Sequence, residues 1–227
     1  MSFDPDRVET IAFDSYGTLV DVTTVEEPLS DYVDDPSAVA KLWRNRSLGY
    51  AMVGNHIEEY HSFFDLIDHA LDYALDTRGI DLGEDERDEL LSTYHDLDVF
   101  GDVHEGMDRL REAGYDLYII SNGNREMLDS LLDFADLGDR IERTFSADEV
   151  ERFKPAVEPY QHAADEVGTP IERVTFVGAG WWDVPGAIHA GMQGIWINRQ
   201  NTIWGPYETQ PDLTIETFHD LADELGV

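Results

Sequence analysis

Polar side chains with catalytic potential stand directly after short apolar runs of the chain. Asp14 ends the first run, and Ser121 and Asn122 end another. Lys154 and Asp183 follow two later runs. A carboxylate at the end of a buried strand must be solvated, hydrogen-bonded or paired with a cation. Asp14 is therefore either a residue that begins a turn or a helix, or a nucleophile that forms an ester or acyl-phosphate intermediate.

Five apolar segments predict the strands that position these residues. They lie near residues 8–14, 115–120, 143–145, 174–177 and 194–198, and the segment at 143–145 is the weakest. Helical patterns cover roughly 103–113, 124–135, 156–167, 183–191 and 216–225. This alternation predicts an α/β fold, with a parallel sheet and helices on both of its faces. Because ligands bind beyond the carboxyl ends of such strands, the polar residues are expected at one edge of the sheet.

The chain from about residue 22 to residue 100 interrupts the alternation. Helical stretches at 39–52, 57–75 and 84–97 stand there without a convincing strand. These residues are therefore predicted to form an all-helical insert after the first strand. Since no long Gly/Ser linker separates the two parts, we expect the insert to pack tightly on the core.

Four motifs of the chain come in the order and spacing of a known superfamily. They read FDSYGTL at 13–19, ISNG at 120–123, KP at 154–155 and FVGAGWWD at 176–183. Together they resemble the motifs of the haloacid dehalogenase (HAD) superfamily, over a core from about 8 to 199. The resemblance implies a Rossmann-like doubly wound core at 1–21 and 101–227, with the helices at 22–100 inserted as a cap.

The residue at position 16 bears on the chemistry. Phosphatases of this superfamily carry a second acid there, which protonates the leaving group, and hold Mg²⁺ with acids of the fourth motif. This chain has Tyr16, whose ordinary pKa of about 10 makes it a poor acid. Only Asp183 remains of the fourth-motif acids, and with Asp14 it would make a poor Mg²⁺ site. We therefore expect no metal and no cofactor, with Mg²⁺ possible only if the chain is a phosphohydrolase.

Within the superfamily, the first motif with its tyrosine is similar to that of the L-2-haloacid dehalogenases. The segment LWRNRSL at 42–48 looks like their cap segment, which carries a halide-facing arginine. The segment KPAVEPY at 154–160 keeps their lysine-to-tyrosine spacing, and WINR at 196–199 looks like their last core strand. The resemblance then covers nearly the whole chain. It implies a small-molecule substrate and suggests a homodimer.

The resemblance implies hydrolysis of a short 2-haloacid to the 2-hydroxyacid with inversion. Asp14 would attack the carbon that bears the halogen, and water would then hydrolyse the Asp14 ester with Asp183 as its base. The halide leaves as an anion, so no general acid is needed at position 16. Lys154 would keep Asp14 ionised, and Thr18 would orient it. Arg44 would stabilise the departing halide.

A second group of residues would bind the substrate. Its carboxylate would be held by Ser121, Asn122 and backbone amides near Ser15 and Tyr16. Leu48 would also contact the substrate, and Tyr160 and Trp182 would line the apolar part of its pocket. Simpler interpretations stay open for several of these residues: a surface cation for Arg44 or Lys154, a helix N-cap for Ser121, and core packing for Tyr16.

The fourth motif departs from the family pattern at two positions. Dehalogenases of this type read SSNAWD there, whereas this chain reads GAGWWD at 178–183. The first Ser and the Asn of the family hold the lysine and the hydrolytic water, and Gly178 and Gly180 replace them. Three outcomes are open: slower ester hydrolysis, a different leaving group, or ordered waters in place of the two side chains.

The charge of the chain is strongly negative. Its 227 residues include 49 acidic and 15 basic ones, for a formal net charge of −34. The acids are dispersed along the chain and not gathered in a tail. This predicts a halophilic protein with a solvated acidic surface in preference to a nucleic-acid mimic that binds basic partners. No basic stripe indicates binding to nucleic acid.

Other features narrow the class of protein. No apolar run approaches the roughly 18 residues of a membrane helix, so no membrane is expected as a partner. The first residues, MSFDPD, show no basic stretch followed by an apolar one, and there is no cysteine, so a cytoplasmic location is expected. Two rival functions remain: a HAD-type phosphohydrolase acting on a small phosphate ester, and a non-catalytic acidic binding protein on the same fold.

Overall fold

A six-stranded sheet forms the centre of the molecule in the computed structural model, which describes residues 3–227. Its strands are β1 (Thr10–Phe13), β2 (Asp116–Ser121), β3 (Arg143–Ser146), β4 (Val174–Gly178), β5 (Gln193–Ile197) and β6 (Leu213–Ile215). They lie in the order β3-β2-β1-β4-β5-β6, and every neighbouring pair is parallel. The predicted parallel sheet is confirmed.

Helices cover both faces of this sheet. Within residues 3–227 the α-helices are α1 (Glu26–Leu29), α2 (Pro36–Ile57), α3 (Phe63–Asp76), α4 (Glu84–Ser92), α5 (Val103–Glu112), α6 (Arg125–Phe134), α7 (Val157–Val167), α8 (Asp183–Ala190) and α9 (Phe218–Glu224). On β1, Ile11 and Phe13 belong to one core cluster with residues of α5, α6 and α9. Ala12 between them belongs to a second cluster with residues of α7 and α8. Burial on both faces confirms the doubly wound α/β arrangement.

The regular elements between β1 and α5 are helical. Helices α2 and α3 pack against each other, and Nε1 of Trp43 donates to the carbonyl of Ile67 across the pair (2.7 Å). Helix α3 buries a stripe of residues three and four apart, namely Phe63, Leu66, Ile67, Ala70, Leu71, Ala74 and Leu75. Trp43 and Ile67 belong to the same core cluster as Ile11 of the sheet, so these helices share apolar packing with the sheet.

Several elements differ from the sequence-based prediction, and among them α4 ends at Ser92 and not at residue 97. Helix α2 is longer than 39–52, because Asp35 caps its start and Glu58 ends it with a left-handed backbone at φ 60°. Helix α3 begins later than residue 57, because the side chain of Ser62 caps its first turn. Strand β6 has only three residues, which are too few for a periodic pattern, and it was not predicted.

The helices and the first residues of the chain bear on the predictions about membranes and location. Among residues 3–227, the helices are too short or too polar to cross a bilayer. The prediction about the first residues includes Met1 and Ser2, which lie outside the described residues. The expectation for this segment stays a prediction.

Candidate active site

The carboxyl ends of β1, β2 and β4 bring the predicted polar residues together. Asp14 follows β1 directly, Ser121 is the last residue of β2, and Asp183 opens α8 after β4. Because β1 lies between β2 and β4, the ends of these three strands are neighbours. Lys154 comes from the loop between β3 and α7 and reaches the same place.

The ammonium group of Lys154 lies at the centre of this cluster, and its side chain is wholly buried. Nζ is 2.8 Å from Oδ1 of Asp14, 2.7 Å from Oδ2 of Asp183 and 2.8 Å from the carbonyl oxygen of Ile120. These contacts use all three N–H donors of an ammonium. Burial alone would lower the pKa of Lys154, but Asp14 and Asp183 outweigh burial and raise it above the ordinary value. The lysine therefore stays charged and is not a surface cation.

The second oxygen of Asp14 is held from the turn after β1. Oγ1 of Thr18 donates to Oδ2 of Asp14 (3.0 Å), and the N–H of Ala179 donates to Oγ1 of Thr18 (2.9 Å). Gly17 permits this turn because its φ of 96° lies in the left-handed region. Arg199, which the sequence analysis did not single out, donates from Nη2 to the Thr18 carbonyl (3.1 Å). Both oxygens of Asp14 are thus held in place.

Asp183 shares its two buried oxygens between a lysine and a tyrosine. Oδ2 accepts from Lys154, and Oδ1 accepts a short hydrogen bond from the hydroxyl of Tyr160. Burial raises the pKa of Asp183 to about 6; Lys154 opposes this rise, and the charge of Asp14 adds to it. The carboxylate is therefore mostly ionised at neutral pH and is basic enough to accept a proton.

Tyr160 does not lie where the sequence analysis expected it. Its side chain is wholly buried in the second core cluster and packs edge-on against Phe176, with ring centroids 5.4 Å apart. It therefore cannot line the apolar part of a substrate pocket. Burial raises the pKa of Tyr160 well above the ordinary value, so the hydroxyl stays protonated and donates to Asp183. Its spacing from Lys154 does not reveal that α7 turns this residue towards the sheet.

Three polar side chains beside the carboxylates are candidates for binding a substrate. The hydroxyls of Ser15 and Ser121 are 2.7 Å apart, and Oγ of Ser121 also accepts from the N–H of Gly123 (2.9 Å). Oδ1 of Asn122 accepts from the backbone N–H of Lys154 (2.8 Å). Nδ2 of Asn122 is buried and has no hydrogen-bond partner among the described residues. A buried donor without a partner is costly, which favours a ligand at this position.

Tyr16 uses its side chain for packing and its backbone for the site. Its ring belongs to the first core cluster, and its hydroxyl donates to the carbonyl of Met127 (3.3 Å). Burial, and after it the neighbouring Tyr94 and Asp14, raises the pKa of Tyr16 far above its ordinary value, so the hydroxyl cannot act as an acid near neutral pH. The Tyr16 carbonyl accepts a hydrogen bond from Nη2 of Arg44 (2.7 Å). This contact brings a cation of α2 beside the Asp14 turn.

A cavity of about 490 Å³ lies between α2 and the loop after β4. Arg44 and Leu48 of α2 line one part of it, and Ala179 and Trp182 line another. Gly17, in the turn after Asp14, also lines the cavity, whereas Asp14 is not one of the lining residues and has 8% of its surface exposed. Leu48 and Trp182 are therefore placed where a substrate in this cavity could contact them.

The two glycines of the fourth motif make room for aromatic rings. A Cβ atom at Gly178 would come within 2.9 Å of the ring of Phe176, and one at Gly180 within 3.1 Å of Cβ of Asp183 and 3.2 Å of the indole of Trp182. Nζ of Lys154 lies 5.1 Å from the centroid of the Phe176 ring, within the range of a cation–π contact. Aromatic packing from Phe176 and Trp182 thus occupies the space next to these two positions.

The donor set does not suit a magnesium ion. All four carboxylate oxygens of Asp14 and Asp183 accept hydrogen bonds from Lys154, Thr18 or Tyr160. Mg²⁺ requires octahedral oxygen ligands, and an ammonium between the two carboxylates would repel a dication. Among residues 3–227, no group of three or more His, Asp or Glu side chains is arranged to hold a metal ion. The residues present therefore do not fit the Mg²⁺ of the superfamily's phosphatases.

Sequence comparisons identify the family. A family model for haloacid dehalogenase-like hydrolases matches residues 8–191. The (S)-2-haloacid dehalogenase 4A of Burkholderia cepacia is 36% identical to this chain, over 86% of the chain and 85% of that protein. The (S)-2-haloacid dehalogenase 1 of Pseudomonas sp. (strain CBS-3) is 34% identical, over 86% of the chain and 87% of that protein.

The fold comparison agrees with the sequence comparisons. The crystal structure of a dehalogenase superposes with a TM-score of 0.93 at 32% identity, over 96% of this chain and 97% of that one. The structure of an L-2-haloacid dehalogenase gives a TM-score of 0.94 at 29% identity, over 97% and 99% of the two chains. The chain belongs to the haloacid dehalogenase-like hydrolases, and within them to the (S)-2-haloacid dehalogenases. The predicted superfamily and subfamily are confirmed.

Proposed function

We propose that this chain is a hydrolytic dehalogenase that converts a short 2-haloacid to the 2-hydroxyacid through an ester on Asp14, without a metal. One observation carries the proposal: the Asp14 carboxylate at the end of β1 has the buried ammonium of Lys154 at 2.8 Å, while Tyr16 cannot supply a proton. The names of the relatives, (S)-2-haloacid dehalogenases, support the same reaction.

In the first step, a carboxylate oxygen of Asp14 attacks C2 of the substrate from the side opposite the halogen. A C–O bond forms, the carbon–halogen bond breaks with its electron pair, and the configuration at C2 inverts. The hydroxyls of Ser15 and Ser121 support binding of the substrate carboxylate there, and so does Nδ2 of Asn122, which has no hydrogen-bond partner within residues 3–227. Arg44 stabilises the halide as its charge develops. Because a halide leaves without a proton, no general acid takes part.

In the second step, Asp183 accepts a proton from water, and the water oxygen attacks Cγ of the Asp14 ester. The bond between Cγ and the substrate oxygen breaks, and that oxygen takes the proton from Asp183. The second proton of the water is released to solvent, which restores the Asp14 carboxylate. The pKa of Asp183, raised to about 6 by burial, suits a base near neutral pH. Each carboxylate oxygen has a second lone pair, so Asp183 can accept this proton while Lys154 and Tyr160 hold it.

The helices at 22–100 act in this proposal as a cap over a core formed by 1–21 and 101–227. Arg44 and Leu48 on α2 line the cavity from one side, and the loop after β4 lines it from the other. The substrate site is then complete only when both parts of the chain are in place.

Halide release separates this proposal from its rivals. We expect chloride and (R)-lactate from (S)-2-chloropropionate, no effect of a metal chelator, and no halide release by a folded Asp14→Asn variant. Phosphate release from small phosphate esters that requires Mg²⁺, without halide release, would instead indicate a phosphohydrolase. An Asp14→Asn variant that matches the parent in every assay would indicate a non-catalytic binding protein.

The charge composition supports a halophilic protein. At a net charge of −34, self-repulsion destabilises the compact state in dilute buffer, and the screening length falls to about 3 Å at 1 M salt. We expect the melting temperature to rise from dilute buffer to molar KCl. A melting temperature that does not rise would remove the halophilic interpretation.

We further propose that the enzyme is a homodimer in the cytoplasm. Val53 and Ile57 are exposed apolar residues of α2 that border a groove of about 530 Å³, which supports contact with a second copy. Light scattering should give the mass of two chains, and a single-chain mass at high concentration would exclude the dimer. Cell fractionation tests the location. Beyond a second copy, the small-molecule substrate is the only partner in this proposal.

A further inference from the structure

Helix α2 contacts the core at a second place, near its end. Nδ2 of Asn55 donates to the carbonyl of Phe153 (2.7 Å), and the N–H of Phe153 donates to Oδ1 of Asn55 (2.9 Å). Nη1 of Arg152 also donates to the carbonyl of Asn55 (3.4 Å). A single side-chain amide on α2 therefore holds both polar backbone groups of one residue in the core.

The residue that Asn55 holds immediately precedes Lys154. The backbone N–H of Lys154 itself donates to Oδ1 of Asn122 (2.8 Å). The chain at 153–154 is thus held by two side-chain amides, one from α2 and one from the loop after β2. The ring of Phe153 is wholly buried and stacks on Tyr60, with centroids 4.9 Å apart. The lysine side chain starts from a backbone with very little freedom.

Arg44 and Asn55 project from the same face of α2. Their separation of about three helical turns, roughly 16 Å, brings the side-chain direction back to within about 20°. Arg44 contacts the carbonyl of Tyr16, in the turn that carries Asp14, and Asn55 holds the residue before Lys154. One helix therefore touches both loops that supply the Asp14–Lys154 pair.

We propose that Asn55 is a positioning residue that acts through Phe153 and sets the place of the Lys154 ammonium between Asp14 and Asp183. It contacts no reacting atom. The inference rests on the proposed function, because it assigns Asn55 a part in that reaction. It also makes the cap helix part of the geometry of the ion pair, in addition to its part in lining the cavity.

The pH dependence distinguishes this role from a merely structural one. The charged or titratable groups that face Asp183 are Lys154, Asp14 and Tyr160. Of these groups, Lys154 opposes the rise in the pKa of Asp183. Lys154 is also the group whose preceding residue, Phe153, loses its hydrogen bonds when Asn55 is replaced. A displaced ammonium therefore moves the acid limb of the kcat profile to higher pH.

The test compares Asn55→Ala with a matched control, His56→Ala, which changes an exposed neighbour on the same helical turn. For Asn55→Ala we expect kcat on 2-chloropropionate to fall by about 10- to 100-fold, as for a displacement near 1 Å, with KM changed by less than about threefold. Asn55→Gln keeps an amide that can both donate to the Phe153 carbonyl and accept from its N–H, and should recover part of kcat. His56→Ala should behave like the parent.

A second readout does not depend on activity. Hydrogen exchange of the backbone amides of Phe153 and Lys154 should be faster in Asn55→Ala and unchanged in His56→Ala. Parental kcat and parental exchange in Asn55→Ala would overturn the proposal, and so would a lower kcat with an unchanged pH profile and no recovery in Asn55→Gln. If the parent releases no halide from any 2-haloacid, the proposed function fails, whereas the exchange rates still decide whether Asn55 holds this loop.

Discussion

Replacing Tyr160 by phenylalanine removes the hydroxyl that donates to Asp183 and keeps the ring that packs on Phe176. A hydrogen bond to a charged group contributes about 1.5–3 kcal/mol, and about 1.4 kcal/mol corresponds to one pKa unit. Its loss should therefore raise the pKa of Asp183 from about 6 by about one to two units. The ionised fraction of this base at pH 7 then falls to between about a half and a tenth, so ester hydrolysis slows by about two- to tenfold.

The assay is the pH dependence of halide release, followed from the first turnover. Since formation of the Asp14 ester needs no base, the first turnover of Tyr160→Phe should keep its rate while later turnovers slow, and the loss should disappear at high pH. Tyr118→Phe serves as the control, because Tyr118 is a partly buried tyrosine that packs against the same core cluster. An acid limb at the parental pH, or a loss of equal size at every pH, would refute the assignment of Asp183 as a base held by Tyr160.

Three further substitutions test other contacts. Lys154→Met should slow halide release by at least about 10²-fold and lower the free energy of unfolding by about 3–5 kcal/mol, because two buried carboxylates lose their cation; kinetics and urea unfolding would check both. Asp102→Asn should lower the free energy of unfolding by about 1–3 kcal/mol, because Asp102 accepts hydrogen bonds from Arg199 (2.7 Å) and from the N–H of Phe218 (2.7 Å). Burial would raise the pKa of Asp102, but these hydrogen bonds outweigh burial and lower it. The contribution of Asp102 to the free energy of unfolding is therefore present above the unfolded-state pKa of about 4 and is lost as pH falls through the folded-state pKa. Gly106→Ala should also lower the free energy of unfolding by about 1–3 kcal/mol, because its Cβ would overlap Phe218, and a parental urea midpoint would contradict this.

Much of the fold is predictable because the strands are short apolar runs with distinct ends. The runs that became β1 and β4 are buried at every position, and polar residues or glycine follow them at once. Strand β6 could not be predicted in this way, because its three residues form a strand only through pairing with β5, which is a long-range contact. The length of α2 depends on the backbone of Glu58, whose left-handed conformation has no clear sequence signal.

Some residues of the candidate site could be predicted from the sequence and others could not. Asp14, Lys154 and Asp183 could be predicted because each follows a strand or its loop and because family motifs mark them. The position of Tyr160 could not, since the direction of its side chain depends on how α7 packs on the sheet. The contact of Asn55 with Phe153 joins residues 98 positions apart and leaves no local pattern.

The most direct test of the covalent mechanism follows the oxygen of water through one turnover. Enzyme in excess over 2-chloropropionate is allowed to react once in ¹⁸O-labelled water, and both the product and the peptide that contains Asp14 are analysed by mass spectrometry. We predict ¹⁸O in the Asp14 carboxylate and ordinary oxygen, taken from Asp14, in the hydroxyl of the lactate. Label in the lactate and none in Asp14 would show that water attacks the substrate carbon directly and that no ester forms.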